Sequence, residues 1–444
     1  MPASARILAV AVTTAACLGT TALPAVATPT ATHTDAVVSR GVTIPEFYTP
    51  PAALPAANGA LVRSEPLPLA LSLPGLDGPL PGAATRLMYK STDSRGEPMA
   101  VTGAYIEPTA AWHGRGDRPL VAVAPGTMGQ GDQCAASLGL EHPLTLNGQT
   151  VSIGYEDLAI YRLLARGIAV VVTDYAGLGT TDRLHTYVNR VDEGHAVLDA
   201  VRAARSLSGT SITSASRVGL FGYSQGGGAT AAAAELQAAY APDVTLSGTY
   251  AGAPPADLVA VTKAIDGSEL AGALGWSVNG FLESDPALKP IADAHLNAAG
   301  RAALKDLSTM CVGDALFAYG GSHSTSWTTD GRTISDIIRS EPALTDFLDR
   351  QRIGTLAPAS PVRLATGTSD NLVPHAQARQ LAVDWCAKGA DVTYKPVTLP
   401  GLGSALINHF APLLADQGDA ISWLTDRFDA EPATSNCSAL PGLS

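Results

Sequence analysis

Val218-Gly-Leu-Phe-Gly-Tyr-Ser-Gln-Gly-Gly-Gly-Ala229 runs from an apolar stretch, through a serine set among glycines, into an alanine-rich segment. The apolar residues 218–221 predict a buried strand, and the run from about Gly227 to Tyr240 predicts a helix. Between them Gly222-Tyr223-Ser224-Gln225-Gly226 is the sole G-x-S-x-G of the chain. Strand, tight turn and helix in that order are the setting of a nucleophile elbow. Such a turn forces its serine into a strained backbone conformation. Side chains at Gly222 or Gly226 would collide with the neighbouring strand or helix. Ser224 is therefore the candidate nucleophile, lifted clear of the sheet at a helix N-terminus.

Outward from this turn, Leu120–Ala124, Ile168–Val172 and Val362–Ala365 are short apolar runs like 218–221, as expected of strands buried on both faces of a parallel sheet. Helical patterns over Tyr155–Arg166, Glu193–Leu207 and Thr230–Tyr240 alternate with them, which predicts a doubly wound α/β sheet. Arg86–Lys90 and Val101–Ile106 read as a hairpin pair with its turn near Ser94-Arg95-Gly96. Upstream, nine prolines between Pro45 and Pro81 predict an extended arm rather than a helix. Strands are not expected between Ala256 and about Ala357, where Leu288–Leu307 and Ile334–Leu348 look helical and are broken by Gly and Ser. The expected organisation is an export signal over 1–27, an arm over 28–85, core over 86–255, a helical cap over 256–357, and the rest of the core over 358–444.

A serine attacks a carbonyl only when a base takes its proton, and imidazole is the usual base near neutral pH. In an elbow fold the acid and the histidine follow the serine in that order. Asp370 lies in the loop after the Val362–Ala365 strand. Val392–Val397 makes a credible last strand, with His409 expected on a glycine-rich loop after it and a helix over Asp419–Phe428 beyond. Other histidines fit less well: His375 would begin a helix, His295 and His323 fall in the cap, and His185 and His195 precede the serine. The oxyanion formed during acyl transfer needs two backbone N–H donors. One is expected from Gln225. The other is expected from the loop Pro125-Gly-Thr-Met-Gly-Gln-Gly131, with Met128 favoured and Thr127 the alternative.

The 444 residues carry 28 Lys and Arg against 40 Asp and Glu, a net charge of −12. That balance argues against binding nucleic acid or anionic membranes by charge. Met1–Ala27 holds one charge, Arg6, an apolar stretch from Ile7 to Cys17, and Ala25-Val26-Ala27 as a cleavage site, which predicts a secretory signal. Gly19, Thr20, Thr21 and Pro24 interrupt it too often for a membrane span, and Thr14 fits a lipoprotein signal ending at Cys17 poorly. Cys134, Cys311, Cys386 and Cys437 then remain. An even count in an exported chain predicts two disulfides, with three pairings open. No zinc-like spacing competes, and no metal or cofactor is called for.

With these residues placed, the sequence resembles the secretory lipases of actinobacteria and yeasts, within the α/β-hydrolases. The likeness is carried by Glu46-Phe-Tyr-Thr-Pro50, Tyr89-Lys-Ser-Thr-Asp-Ser94, the Pro125–Ser137 loop with its cysteine, Gly222–Gly226, Ala253-Pro-Pro-Ala-Asp257, Thr368–Pro374 and Trp423–Phe428. Departures are Ala136, where members have proline, and the loop Leu399–Ile407. The resemblance implies an exported carboxylic-ester hydrolase with a helical lid, using Ser224, Asp370 and His409, and disulfides Cys134–Cys311 and Cys386–Cys437. An ester or lipid is the expected substrate, with transient contact between the cap and a lipid interface. An acyltransferase sharing the same acyl-enzyme is the first alternative, and a catalytically silent extracellular binding module the second.

Overall fold

The computed structural model describes residues 36–72 and 80–442. The expected export signal lies outside them. A small hairpin of β1 (Val38–Ser39) and β2 (Val42–Thr43) comes first, then the antiparallel strands β3 (Leu61–Leu67), β4 (Gly82–Thr92) and β5 (Pro98–Pro108). β6 (Leu120–Ala124) is followed by α1 (Ala136–Glu141), the hairpin β7 (Leu144–Leu146) and β8 (Val151–Ile153), α2 (Asp157–Leu164) and β9 (Ala169–Ala176). Next come α3 (Arg190–Ser206), β10 (Val218–Tyr223), α4 (Gln225–Tyr240) and β11 (Leu246–Gly252). Seven helices then intervene without a strand of the main sheet: α5 (Leu258–Ile265), α6 (Gly272–Ser284), α7 (Lys289–His295), α8 (Ala298–Leu307), α9 (Val312–Tyr319), α10 (Ile334–Ser340) and α11 (Pro342–Gln351). β12 (Val362–Gly367), α12 (His375–Ala387), β13 (Val392–Val397) and α13 (Ala405–Phe428) complete the core.

Nine strands form one sheet in the order β13-β12-β11-β10-β6-β9-β5-β4-β3, parallel from β13 to β9 and antiparallel from there to β3. Every residue of β6, β9, β10 and β12 is buried, which is why the runs Leu120–Ala124, Ala169–Val172 and Val218–Phe221 are apolar without alternation. The chain leaves β6 for β9 on one side and returns to β10 on the other. The winding therefore reverses at β6, and the carboxyl ends of β6 and β10 flank the crevice where such folds place their sites.

Several expectations need correction. The sheet begins at Leu61, not Arg86, because part of the expected arm is β3, paired to β4. Pro66 sits within β3, and an edge strand tolerates a residue that cannot donate to a ladder. His409 does not lie on a loop. The last helix starts at Ala405, capped by the Ser404 side chain accepting from the Ile407 N–H, and runs through Pro412. β11 and the β7–β8 hairpin were not expected at all, and α10 and α11 are separated at Glu341-Pro342.

Cys134 bonds to Cys311, and Cys386 to Cys437. The first joins the loop after β6 to the start of α9; the second joins α12 to the C-terminal tail. Around the first, Val312 N–H donates to Met128 O (2.8 Å) and Gln130 N–H to Met310 O (2.9 Å). Gly129 is required there: its φ is +127°, and a Cβ would come within 2.4 Å of the Met310 carbonyl oxygen. Replacing Cys386 and Cys437 together by serine should lower the free energy of unfolding by about 2–4 kcal/mol, since the bridge closes a long loop in the unfolded chain. Denaturant titration followed by circular dichroism checks this, with an unchanged native baseline expected.

Candidate active site

Ser224 is the hinge between β10 and α4, with φ +60° and ψ −125°. Its N–H donates to Gly252 O at 2.9 Å. A Cβ at Gly222 would lie 2.2 Å from Gly226 O, and one at Gly226 would lie 2.0 Å from Ala124 O. Glycine is thus dictated by backbone contact at both positions, and the turn aims Ser224 Oγ into the crevice.

His409, on the second turn of α13, is 1% exposed. Its Nδ1 donates to Asp370 Oδ2 at 2.7 Å, so Nε2 is left as the acceptor for the Ser224 hydroxyl at 2.9 Å. Asp370 lies in the loop after β12, and its Oδ1 accepts the Leu372 and Val373 N–H groups, each at 3.0 Å. The Tyr223 hydroxyl donates to His409 O at 2.7 Å, so the residue before the serine holds the helix that carries the histidine. Gly367, at the end of β12, admits Pro412 so closely that a Cβ would meet its ring at 2.5 Å.

The inner half of the loop after β6, Pro125–Thr127, is gripped at four points. Tyr175 OH donates to Pro125 O (2.6 Å), Gly126 N–H to Glu156 Oε1 (2.7 Å) and Tyr155 OH to Thr127 O (3.0 Å); Thr127 Oγ1 lies 2.8 Å from Tyr187 OH. Among the described residues the backbone N–H groups of Thr127, Met128 and Gln225 have no protein acceptor. Met128 is placed differently: it is 2% exposed, packs with Tyr48 and the Cys134–Cys311 bridge, and lines neither cavity at Ser224. Thr127 lines both.

Gln225 is held by its side chain. Its Nε2 donates to Glu193 Oε1 (2.7 Å) and contacts His185 Nε2 (3.0 Å). His185 Nδ1 donates to Ala176 O at 2.7 Å, which leaves Nε2 as an acceptor. Burial pushes His185 down to about 4 and Glu193 up to about 8, the latter against the lowering effect of donors from Gln225 and Val188. His185 is therefore a neutral support beneath the site. Sequence reasoning missed Tyr155, Glu156, Tyr175, Tyr187 and Glu193, for none of which a local pattern exists.

Two cavities meet at Ser224. One passes Gln225, Leu258, Thr262 and Phe281, and shares Thr262, Ser277 and Phe281 with a further apolar cavity among Leu288, Ile334 and Leu344. The other, about 190 Å³, lies on the His409 side between Tyr155, Val312, Leu316, Leu406 and Phe410. Among the described residues no cluster of His, Cys, Asp and Glu could hold a metal ion, and no helix is long and apolar enough to cross a membrane.

The family model described as "Secretory lipase" matches residues 140–436. A probable inactive lipase of Mycobacterium tuberculosis is 31% identical over 389 residues, 87% of this chain and 82% of that protein. A secreted triacylglycerol lipase of Malassezia furfur is 24% identical over 358 residues, 80% of this chain and 70% of that one. Among solved structures, Candida antarctica lipase A in its closed state matches with a TM-score of 0.73 at 21% identity, over 88% of this chain and 87% of the other. At that identity the likeness speaks for the fold, which is that of the α/β-hydrolases.

The buried Glu193 gives a signed stability test. Its carboxyl is raised from 4.5 to about 8, so between those values the folded chain keeps a proton that the unfolded chain releases. Its contribution is full below the lower value and is lost as pH rises, by up to about 1.4 kcal/mol per pH unit. Glu193→Gln keeps an oxygen for Gln225 and does not titrate. Its melting temperature relative to the parent should therefore climb between pH 5 and pH 8; a constant difference would mean that Glu193 is ionised in the fold.

Proposed function

The chain belongs to the secretory lipase family, and we propose that it is a secreted serine hydrolase that cleaves esters of apolar acyl groups through an acyl-enzyme on Ser224. It is a carboxylic-ester hydrolase by family. The observation that carries the finer reading is the continuous chain of bonds from Ser224 Oγ to His409 Nε2 (2.9 Å) and from His409 Nδ1 to Asp370 (2.7 Å). One relative is named as a probable inactive lipase; these contacts favour a working site here.

In the proposed cycle His409 Nε2 takes the Ser224 proton as Oγ bonds to the ester carbonyl carbon. The carbonyl oxygen becomes an oxyanion, and the N–H groups of Gln225 and Thr127 stabilise it. Asp370 stabilises the imidazolium and holds its tautomer. His409 then protonates the departing alkoxide, so the alcohol half occupies the cavity on its side, and the acyl chain takes the path past Leu258 and Phe281. Water, deprotonated by His409, attacks the acyl-enzyme and releases the acid and Ser224. Both cavities are lined mostly by aliphatic and aromatic side chains, which suits lipid-like esters.

Secretion is supported by the family, the two disulfides and the reading of residues 1–27. Contact with a lipid surface is supported by Phe317, 83% exposed on α9 beside Leu316, and by Ile153, 48% exposed at the rim of the same cavity.

Ser224→Ala should reduce hydrolysis of a soluble aryl ester at least about a thousandfold, with an unchanged circular dichroism spectrum. A fluorophosphonate should label the parent on the peptide containing Ser224 and leave this variant unlabelled; activity retained in the variant would assign the nucleophile elsewhere. Phe317→Ser should slow turnover of emulsified triacylglycerol several-fold while sparing a soluble short-chain ester. Equal effects on both substrates would place Phe317 outside any surface contact.

A further inference from the structure

Glu156 occupies the N-cap position of α2, where a carboxylate ordinarily accepts the N–H groups of its own first turn. It makes no such bond. The side chain turns instead to the loop after β6, where Oε1 accepts the Gly126 N–H at 2.7 Å in a residue only 5% exposed. The preceding side chain does the complementary thing: Tyr155 OH donates to Thr127 O at 3.0 Å. These two bonds bracket the Gly126–Thr127 peptide unit, the one that carries the Thr127 N–H. With the groups on both sides anchored, the rotation open to that N–H is narrowed.

We propose that Glu156 is a positioning residue for the reaction, fixing the Thr127 N–H through Gly126 with Tyr155 as the second jaw of the clamp. The inference rests on Thr127 and Gln225 serving as the oxyanion donors. Gly126 gives the clamp its purpose. Without a side chain the residue rotates freely, and with one it would stand 2.6 Å from Tyr155 OH and 3.2 Å from Tyr223 O. The loop thus needs glycine for space and an external restraint for direction. Tyr155 also packs edge-on against Phe410, the neighbour of His409, at 5.5 Å between ring centres, so the clamp touches the helix that carries the base. Burial, aided by the charge of Asp157, pushes the Glu156 carboxyl up to about 7. Either protonation state leaves an oxygen to accept the Gly126 N–H.

The test compares Glu156→Leu and Glu156→Gln with the parent on a soluble ester, together with the affinity of each for an alkylboronic acid, which forms a tetrahedral adduct on a serine nucleophile. Glu156→Leu should lower kcat about 10- to 100-fold with KM within about twofold, and weaken the boronic acid by a factor similar to the loss in kcat/KM. Glu156→Gln, which keeps an accepting oxygen, should stay within about threefold of the parent. A folded Leu variant with parental kcat overturns the proposal. So does a loss confined to KM, unaltered boronic acid affinity, or a Gln variant as impaired as Leu. Should Leu fail to fold, Glu156→Asp, which withdraws the carboxyl by one methylene, takes its place with the same expected signature, and parental kcat in it is equally fatal. Activity surviving Ser224→Ala would instead unseat the underlying site, whatever Glu156 does.

Discussion

The first turn of α4 lies so close to the ends of its neighbouring strands that no side chain fits between them. A Cβ on Gly226 would reach 2.0 Å from the Ala124 carbonyl oxygen, and one on Gly227 would reach 1.9 Å from that of Gly252. This backbone-to-backbone contact fixes where β10 stops and α4 starts, and it holds Ser224 at φ +60°. Such a conformation costs on the order of 1–3 kcal/mol and persists because the packing around it allows no other. The same contact sets the loop after β6 directly against the elbow. The serine, the Gln225 N–H (without an acceptor among the described residues) and the start of the loop after β6 are thereby registered to one another by main chain, and side chains direct the rest of that loop.

The refinement is polar and buried, an uncommon choice in so apolar a core. Tyr155, Tyr175, Tyr187 and Tyr223 each place a hydroxyl against the loop or against the backbone of His409, while Glu156 and Glu193 back the two sides of the crevice. Each such group would be costly if left without a partner, so the network is rigid because it is satisfied. His185 belongs to the same logic. Stacked on Tyr175 and kept neutral by burial, it serves as an acceptor for Gln225.

Where the sequence spoke clearly, a single physical constraint acted over a few residues. Leu120–Ala124 matches β6 end to end because a strand buried on both faces has no polar positions to blur its limits. The elbow is legible because backbone proximity demands glycine at fixed offsets. The chain order of serine, aspartate and histidine pointed to Asp370 and His409, and these are the residues that meet Ser224. β11 was hidden because Leu246-Ser-Gly-Thr-Tyr-Ala-Gly252 mixes small and polar residues within a buried strand. The helix of His409 was hidden by Gly401 and Gly403, which made the segment read as a loop, and its interior Pro412 gives no helical signal, while the Ser404 cap that starts it is a weak signal beside them. The supporting tyrosines and glutamates join positions 28 to 50 or more residues apart, and nothing local encodes such pairings.

The bridge between Cys134 and Cys311 spans 177 positions and fastens the outer half of the loop after β6 to the start of α9. Met128, Gly129 and Gln130 find their backbone partners on Met310, Cys311 and Val312, not on the sheet beside them. The outer half of that loop therefore cannot be finished by the core alone. During synthesis the nucleophile turn and the partners of the loop's inner half, Tyr155, Glu156, Tyr175 and Tyr187, precede the insertion, so the outer half docks last, once residues 310–312 have been made. The wall that faces the nucleophile is thus laid down in two stages, its inner part by the core and its outer brace by the insertion.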